Sequence, residues 1–398
     1  MNKITFFICM TFVSSHITAQ DFNKKKMDSL FDKLEQRDKS MGSLSIFQDG
    51  EEVYSRTIGY ADFEKKQAAN SETKYRIGSI TKTFTAVMIF KMVENGKLEL
   101  STKLSQFFPD LPNAEKIDME NLLNHTSGLF NFTSSDDYTS YMTEEKSREE
   151  MLDLIKRNGA IFEPGEKNEY SNTNYILLTY ILEDLSGKSY SSLLQEMIVA
   201  PLNLRDTEFG GKITPSQNEA RSYRKEEGWI LEEETHMSIP LGAGGMISTP
   251  YDLNVFFTAL FNHKLLSQES LDKMTTITDR YGLGLFEFPF HELRAFGHDG
   301  GIDGFSSTAA YFPSEDMTIS FISNASEVGV NDILIGVLSI YFGKEYEIPE
   351  FPESIQLPTS VLEKYVGVYS AENFPVKLEI KLEDDQLKMG EPGKQLLL

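Results

Sequence analysis

An α+β fold, with an antiparallel sheet flanked by helices and an inserted all-helical subdomain, follows from three features of the chain. Strand-like segments occur near its start, further ones return at about 305–322, and the stretch between, roughly 100–240, is mostly helical in pattern. The length of 398 residues, 40% hydrophobic and 25% charged, suffices for one large core with a smaller appended unit.

The elements can be justified in order. Lys3 followed by an apolar run from Ile4 to Val13 and small or polar residues to Ala19 reads as an export signal, cleaved after Ala19. The run is too short for a bilayer, which needs about 20 apolar residues, so the mature chain is expected to have no membrane span and to be periplasmic or extracellular. Phe22 to Arg37 is a polar helical lead. Ser43–Gln48 and Glu52–Ile58 flank Asp49-Gly50, a hairpin signal because both turn positions tolerate positive φ. From Ser79 to Glu94 apolar residues cover most of a helix circumference, so that helix is expected to be buried, with Asn95-Gly96 ending it. Pro109, Pro112, Pro164-Gly165, Gly187 and Pro201 punctuate the middle. Strands follow at Phe305–Phe312 and Met317–Ile322, then a covering helix at about Val330–Tyr341. Pro349, Pro352 and Pro358 mark a linker, beyond which Val376, Leu378, Ile380 and Leu382 alternate with charged residues as in a half-buried strand. The expected organisation is thus a signal at 1–19, a main domain at 24–343, a linker at 344–359 and a β-rich extension at 360–398 that could be incomplete.

A net charge of −23 argues against nucleic acid or an anionic membrane surface as partner, because both attract basic patches. The single cysteine, Cys9, lies within the export signal, so cleavage leaves no thiol for a disulfide, a nucleophile or a metal. His125, His236, His263, His291 and His298 show no metal-ligand spacing, and no phosphate-binding loop of the G-x-x-x-x-G-K type is present, so no metal and no cofactor is expected. The partner to expect is a small-molecule or peptide substrate. Oligomeric state is left open.

Three segments point to chemistry. Ser79-Ile80-Thr81-Lys82 puts a hydroxyl and an amine three residues apart on one face at a helix start, where the helix dipole and desolvation of the lysine both favour a nucleophilic serine. Alone, the pair would more readily read as a helix cap beside a surface lysine. Tyr170-Ser171-Asn172 follows the turn Pro164-Gly165 and precedes an apolar helix from Tyr175 to Leu185; His298-Asp299-Gly300-Gly301 lies ahead of the strand at Phe305.

The stretch Tyr75-Arg76-Ile77-Gly78-Ser79-Ile80-Thr81-Lys82-Thr83-Phe84-Thr85-Ala86 resembles the nucleophile segment of the serine β-lactamase and penicillin-binding protein family, in its class C and carboxypeptidase or esterase branch. Tyr170-Ser171-Asn172 resembles that family's Y-x-N motif, and His298-Asp299-Gly300-Gly301 its K-T-G strand in the H-x-G form. The resemblance runs from about 24 to 343 and implies a β-lactamase/transpeptidase-like fold and a serine hydrolase working through an acyl-enzyme on Ser79. Lys82 and Tyr170 would manage the proton, with either as general base and Tyr170 partly phenolate. Asn172 would hold Lys82 and the substrate carbonyl, His298 would polarise Tyr170 or touch substrate, and the Ser79 and Gly301 amides would form the oxyanion hole.

Leu122–Leu129, Pro201–Leu204 and Gly244–Leu253 resemble the same family as scaffold, and His125 reads as a structural turn histidine.

Where the family's better-known members carry Lys and Thr in the third motif, this chain has His298 and Asp299, which weakens binding of a substrate carboxylate. Asp299 either faces the cleft, repelling carboxylates and accepting an amine, or turns away and bonds to backbone near Gly304. Esters, amides or peptides lacking that carboxylate are therefore favoured. The alternatives are a D-Ala-D-Ala carboxypeptidase or β-lactamase and, in another class, a non-hydrolysing penicillin-binding or sensor protein.

Overall fold

The computed structural model describes residues 22–351, 357–371, 374–383, 385–390 and 392. The expected export signal, with Cys9, lies outside them. The chain divides into two compact units with the boundary between Ile348 and Pro349.

The first unit is built on a six-stranded sheet in which every neighbouring pair is antiparallel. Its strands are β1 (Ser40–Gln48), β2 (Glu51–Ile58), β5 (Phe286–Phe290), β6 (Leu293–Ile302), β7 (Phe305–Phe312) and β8 (Met317–Ser326), in the order β5-β6-β7-β8-β1-β2. The hairpin β1–β2 turns at Asp49 and Gly50, both at positive φ, as the Asp-Gly pair requires. The two ends of the domain meet where β1 pairs with β8, Ile46 opposite Ile319.

Helices cover both faces. Helix α1 (Lys24–Gln36) is capped by the Asn23 side chain and buries Met27, Leu30, Phe31 and Leu34, an i, i+3, i+4, i+7 stripe. Phe31 packs on Phe321 of β8. Successive strand residues point to opposite faces, and accordingly the neighbouring Ser320 reaches the other side, where its hydroxyl donates to Asn254 on α4 (Pro250–Phe261). Helix α5 (Val330–Tyr341) forms where the apolar pattern places it and packs on β7 and β8.

Between β2 and β5 the chain makes the helical part. Its central helix, α2 (Thr81–Glu94), buries eleven of fourteen residues, and Phe84 stacks on Phe256 of α4 at 3.7 Å. Helix α3 (Asn172–Ser186), ended by left-handed Gly187, packs against α2.

Three departures from the sequence reading stand out. Helix α2 begins at Thr81, and Ser79 sits before it in a 3₁₀ turn, Gly78–Ile80. Strand β8 runs to Ser326, beyond the apolar stretch, because its last residues pair with Ser40 and Met41. The edge strand β5 gave little strand signal because it contains Pro289, which only an edge tolerates.

The second unit contains a three-stranded antiparallel sheet of β9 (Gly367–Ala371), β10 (Phe374–Glu383) and β11 (Gln386–Gly390). The alternating segment at 376–383 lies in its central strand. Among the described residues no helix is long and apolar enough to cross a membrane.

Candidate active site

The Ser79 turn is held from two directions. Strand β3 (Tyr75–Arg76) pairs with β4 (Met246–Ser248), and the Ile77 amide donates to Met246 O at 3.1 Å. On the other side the turn packs backbone to backbone on the end of β6. Gly78 has φ +50°, and a Cβ there would lie 2.8 Å from the Gly301 nitrogen; one on Gly300 would lie 2.1 Å from Ile77 O and 3.0 Å from the Ser79 nitrogen. Only glycines allow this approach. Ser79 and Gly301 thereby line one cleft with Tyr170, Tyr281, Phe286, Asp299 and Gly300.

A buried network fixes the same junction. Arg76, three residues before Ser79, donates to Asp303 Oδ2 at 2.5 Å and to the carbonyls of Thr235 and Gly211, both at 3.0 Å. Asp303, two residues after Gly301, accepts through Oδ1 from the Thr235 hydroxyl at 2.6 Å and its amide at 3.1 Å. Both side chains of the ion pair are only 2% exposed.

Lys82 is fully buried and reaches three oxygens: Ser79 Oγ at 3.0 Å, Asn172 Oδ1 at 2.7 Å and Ala243 O at 2.6 Å. Desolvation holds its pKa well below the usual lysine value, with the Asp299 carboxylate a weaker opposing influence. Burying an ammonium costs several kcal/mol, and this cost is what pushes the pKa towards the free amine. A free amine has two N–H groups and one lone pair. Asn172 Oδ1 and Ala243 O can only accept, which takes both hydrogens and turns the lone pair to the Ser79 hydroxyl.

The orientation of Asn172 follows from its other partners. Its Nδ2 donates to Asn131 Oδ1 at 3.2 Å and Thr133 Oγ1 at 3.1 Å, so Oδ1 must face Lys82. Both amide hydrogens are thus engaged, and the expectation that Asn172 also holds a substrate carbonyl gives way to one of positioning Lys82.

Tyr170 OH donates to Ser79 Oγ at 2.7 Å. Burial raises its pKa above the ordinary phenol value, the Asp299 charge adds to this, and the Ser79 bond opposes it. The expected partial phenolate is therefore disfavoured, because burial of the hydroxyl favours its neutral form.

In β6, His298 is 1% exposed, stacks on Phe286 at 4.2 Å, and places Nδ1 2.5 Å from its neighbour's carbonyl, Asp299 O. Burial, with Lys82 second, pushes its pKa down to about 3, so the ring is neutral and Nδ1–H donates to that carbonyl. It approaches Tyr170 by ring packing at 6.5 Å and not by a hydrogen bond, so it does not polarise the phenol. Asp299 faces the cleft, its side chain 62% exposed and its Oδ1 3.6 Å from His298 Nδ1. Partial shielding raises its pKa, while its own backbone amide and Lys82 lower it. The acid that reaches inward from this region is Asp303.

Sequence reasoning missed Asn131, Thr133, Ala243 and the Arg76–Asp303 pair. Ala243 directly precedes a stretch read as scaffold; Asn131 and Thr133 had no signal beyond lying just past Leu122–Leu129. His125, read as a structural turn histidine, is buried, and its ring centroid lies 4.4 Å from that of Tyr170.

The chain is similar to several known proteins. The family model described as Beta-lactamase matches residues 27–334. Penicillin-binding protein 4* of Bacillus subtilis (strain 168) is 28% identical over 382 residues, covering 87% of this chain and 83% of that protein. The teichoic acid D-alanine hydrolase of Staphylococcus aureus is 28% identical over 57% of this chain and 55% of its own length. Among solved structures, D-amino acid amidase from Ochrobactrum anthropi SV3 complexed with D-phenylalanine aligns with a TM-score of 0.72 and 30% identity, covering 80% of this chain and 99% of that one.

Proposed function

The chain belongs to the beta-lactamase family and is a serine hydrolase, and we propose that it is an amidase or esterase that forms its acyl-enzyme on Ser79 and prefers amine-bearing substrates. The observation that carries this is the contact of Ser79 Oγ with a desolvated Lys82 amine at 3.0 Å and a phenol at 2.7 Å.

Ser79 Oγ attacks the acyl carbon while its proton passes to the Lys82 lone pair. The Ser79 and Gly301 amides receive the oxyanion, a contribution often worth about 3 kcal/mol per donor. Lys82 then returns the proton along the Tyr170 hydroxyl to the leaving nitrogen or oxygen, and the C–N or C–O bond breaks. Water repeats the sequence on the acyl-enzyme, with Lys82 as base and Ser79 as leaving group.

Substrate class rests on Asp299. A carboxylate at the cleft rim repels a substrate carboxylate and attracts an ammonium. The names of two relatives, a D-amino acid amidase and a D-alanine hydrolase, fit an acyl group with a free amine. Relationship to a penicillin-binding protein favours carboxypeptidase or β-lactamase activity as the second reading, which Asp299 opposes.

Residues 1–19 act as an export signal in this reading, with the hydrolase at 24–343 functioning in the periplasm or outside the cell, a linker at 344–359 and a β-rich extension at 360–398. The molecular mass of the chain recovered from an exporting host tests the cleavage.

The primary test is steady-state hydrolysis of a p-nitrophenyl ester and a set of D-amino acid amides by the wild type and by Ser79→Ala. Turnover confined to the wild type is expected. Turnover that survives Ser79→Ala overturns the assignment, and a stable acyl-enzyme without product release would move it to the penicillin-binding sensor class.

A further inference from the structure

His125 does no chemistry in the reading above, yet it grips the backbone on both sides of Tyr170. Its carbonyl accepts from the Glu169 amide at 2.9 Å, and its ring Nδ1 accepts from the Ser171 amide at 3.1 Å. Between those two bonds the imidazole lies 4.4 Å from the Tyr170 ring, tilted by 34°. The acceptor role of Nδ1 puts the ring hydrogen on Nε2 and makes the ring neutral, in keeping with its 2% exposure.

The turn that carries His125 is itself tied down. Thr126 donates through its amide to Asn121 O at 2.9 Å and through its hydroxyl to Asn124 Oδ1 at 2.7 Å, while its carbonyl accepts from the Gly165 amide at 2.8 Å. The Ser127 hydroxyl donates to Asn174 on α3 at 2.6 Å. His125 has φ +63°, a left-handed conformation in which Asn, Asp and His are enriched among non-glycine residues, and from it the ring meets the 169–171 backbone.

We infer that His125 is a positioning residue for proton delivery: through its Nδ1 bond to the Ser171 amide it sets where the Tyr170 hydroxyl stands relative to Ser79. The inference rests on the assignment of Tyr170 as the proton relay. Tyr170 precedes α3 in a segment without regular structure, and Ser171, the helix N-cap, makes no side-chain capping bond. Without the Nδ1 contact, the Ser171 amide would lack its acceptor in a buried setting and the segment would shift to find another.

Leaving groups provide the test. An amide must receive a proton through Tyr170 as its C–N bond breaks, whereas p-nitrophenolate leaves without one. His125→Phe keeps a ring and removes the acceptor; His125→Asn supplies an oxygen where Nδ1 stood and suits positive φ. In His125→Phe the kcat for an amide is expected to fall about 10-fold or more beyond any fall for the p-nitrophenyl ester, matching the pattern of Tyr170→Phe. His125→Asn is expected to restore most of the amide-to-ester ratio. Equal losses for both substrates in step with a lowered Tm, or an unchanged ratio in His125→Phe, overturn the inference. Should His125→Phe not fold, a ratio in His125→Asn as low as that of Tyr170→Phe does the same. Absence of turnover in the wild type would instead count against the hydrolase reading. The rate of phosphonylation of Ser79 by an aryl fluorophosphonate, which forms the Oγ–P bond as P–F breaks, then separates the two: it should stay within a few-fold in His125→Phe, because fluoride leaves unprotonated, and a collapse would overturn the inference by showing that His125 shapes the nucleophile and not the relay.

Discussion

Lys82, buried behind Ser79, and Asp299, which lines the cleft, are held in opposite ways. Lys82 is fully buried, and each of its hydrogen-bonding positions has a partner supplied by a different segment of the chain. Asp299 is more than half exposed, touched by its neighbour His298 and bathed by the cleft. The contrast separates reaction from selection. Burial and pure acceptors determine the protonation state of the lysine, so its environment has to be built from deep contacts. A charge at the rim alters which substrate enters and can be exchanged with little consequence for the fold.

The first way to break this contrast is to remove the buried side. Lys82→Met is expected to lower kcat about 10²–10⁴-fold, the range for a general base, while leaving a folded protein. A loss of under 10-fold in steady-state assays would hand the base role to another group. The pH profile sharpens the same point. The active form of Lys82 is the free amine, so kcat/KM should fall as pH drops through its lowered pKa, and stay high well below the ordinary lysine range. Tyr170, whose pKa is raised, should remain a phenol across that interval and set no acid limb. An acid limb near the ordinary lysine pKa would show that desolvation is offset.

The next effect concerns the frame and not the reacting groups. Asp303→Ala leaves the buried Arg76 guanidinium with only the longer contact to Glu234, at 3.3 Å, as counter-charge and should destabilise the protein by about 2–4 kcal/mol in urea unfolding. The exposed pair Lys116–Glu163, at 2.7 Å, is the control: Lys116→Ala should change stability by less than about 0.5 kcal/mol despite a similar distance. Equal effects would mean that burial does not distinguish the two pairs.

Between these lies the rim. Asp299→Asn should shift the ratio of amine-bearing to carboxylate-bearing substrates by about 3–30-fold towards carboxylates, the size of a screened charge contact at the mouth of a cleft. Most of that change should appear in KM. An unchanged ratio would remove Asp299 from the account of specificity and leave the shape of the Tyr281–Phe286 wall to explain it.

Much of this arrangement was legible from the chain alone, though unevenly. Ser79 and Lys82 are three residues apart at a helix start, so their meeting is a property of local geometry. The Asp-Gly hairpin and the span of α5 were equally local. The phenol state of Tyr170 was not, because it depends on how many atoms surround the hydroxyl after folding. Asn172 was found as a motif residue, but its orientation is set by Asn131 and Thr133, about forty residues earlier. His125 read as a turn residue because nothing adjacent in sequence says that Tyr170 lies over its ring.

Covalent spacing therefore determined the elements, the pairing of serine with lysine and the order of the three motifs, since periodicity and turn chemistry act over a few residues. Only the tertiary structure decided which partners complete them. Lys82 meets Ala243 across 161 positions and Arg76 meets Asp303 across 227. Contacts at such separation arise from how the sheet assembles and how α2 is buried against α3 and the 241–244 segment, and the low dielectric created there is what pushes the lysine pKa down.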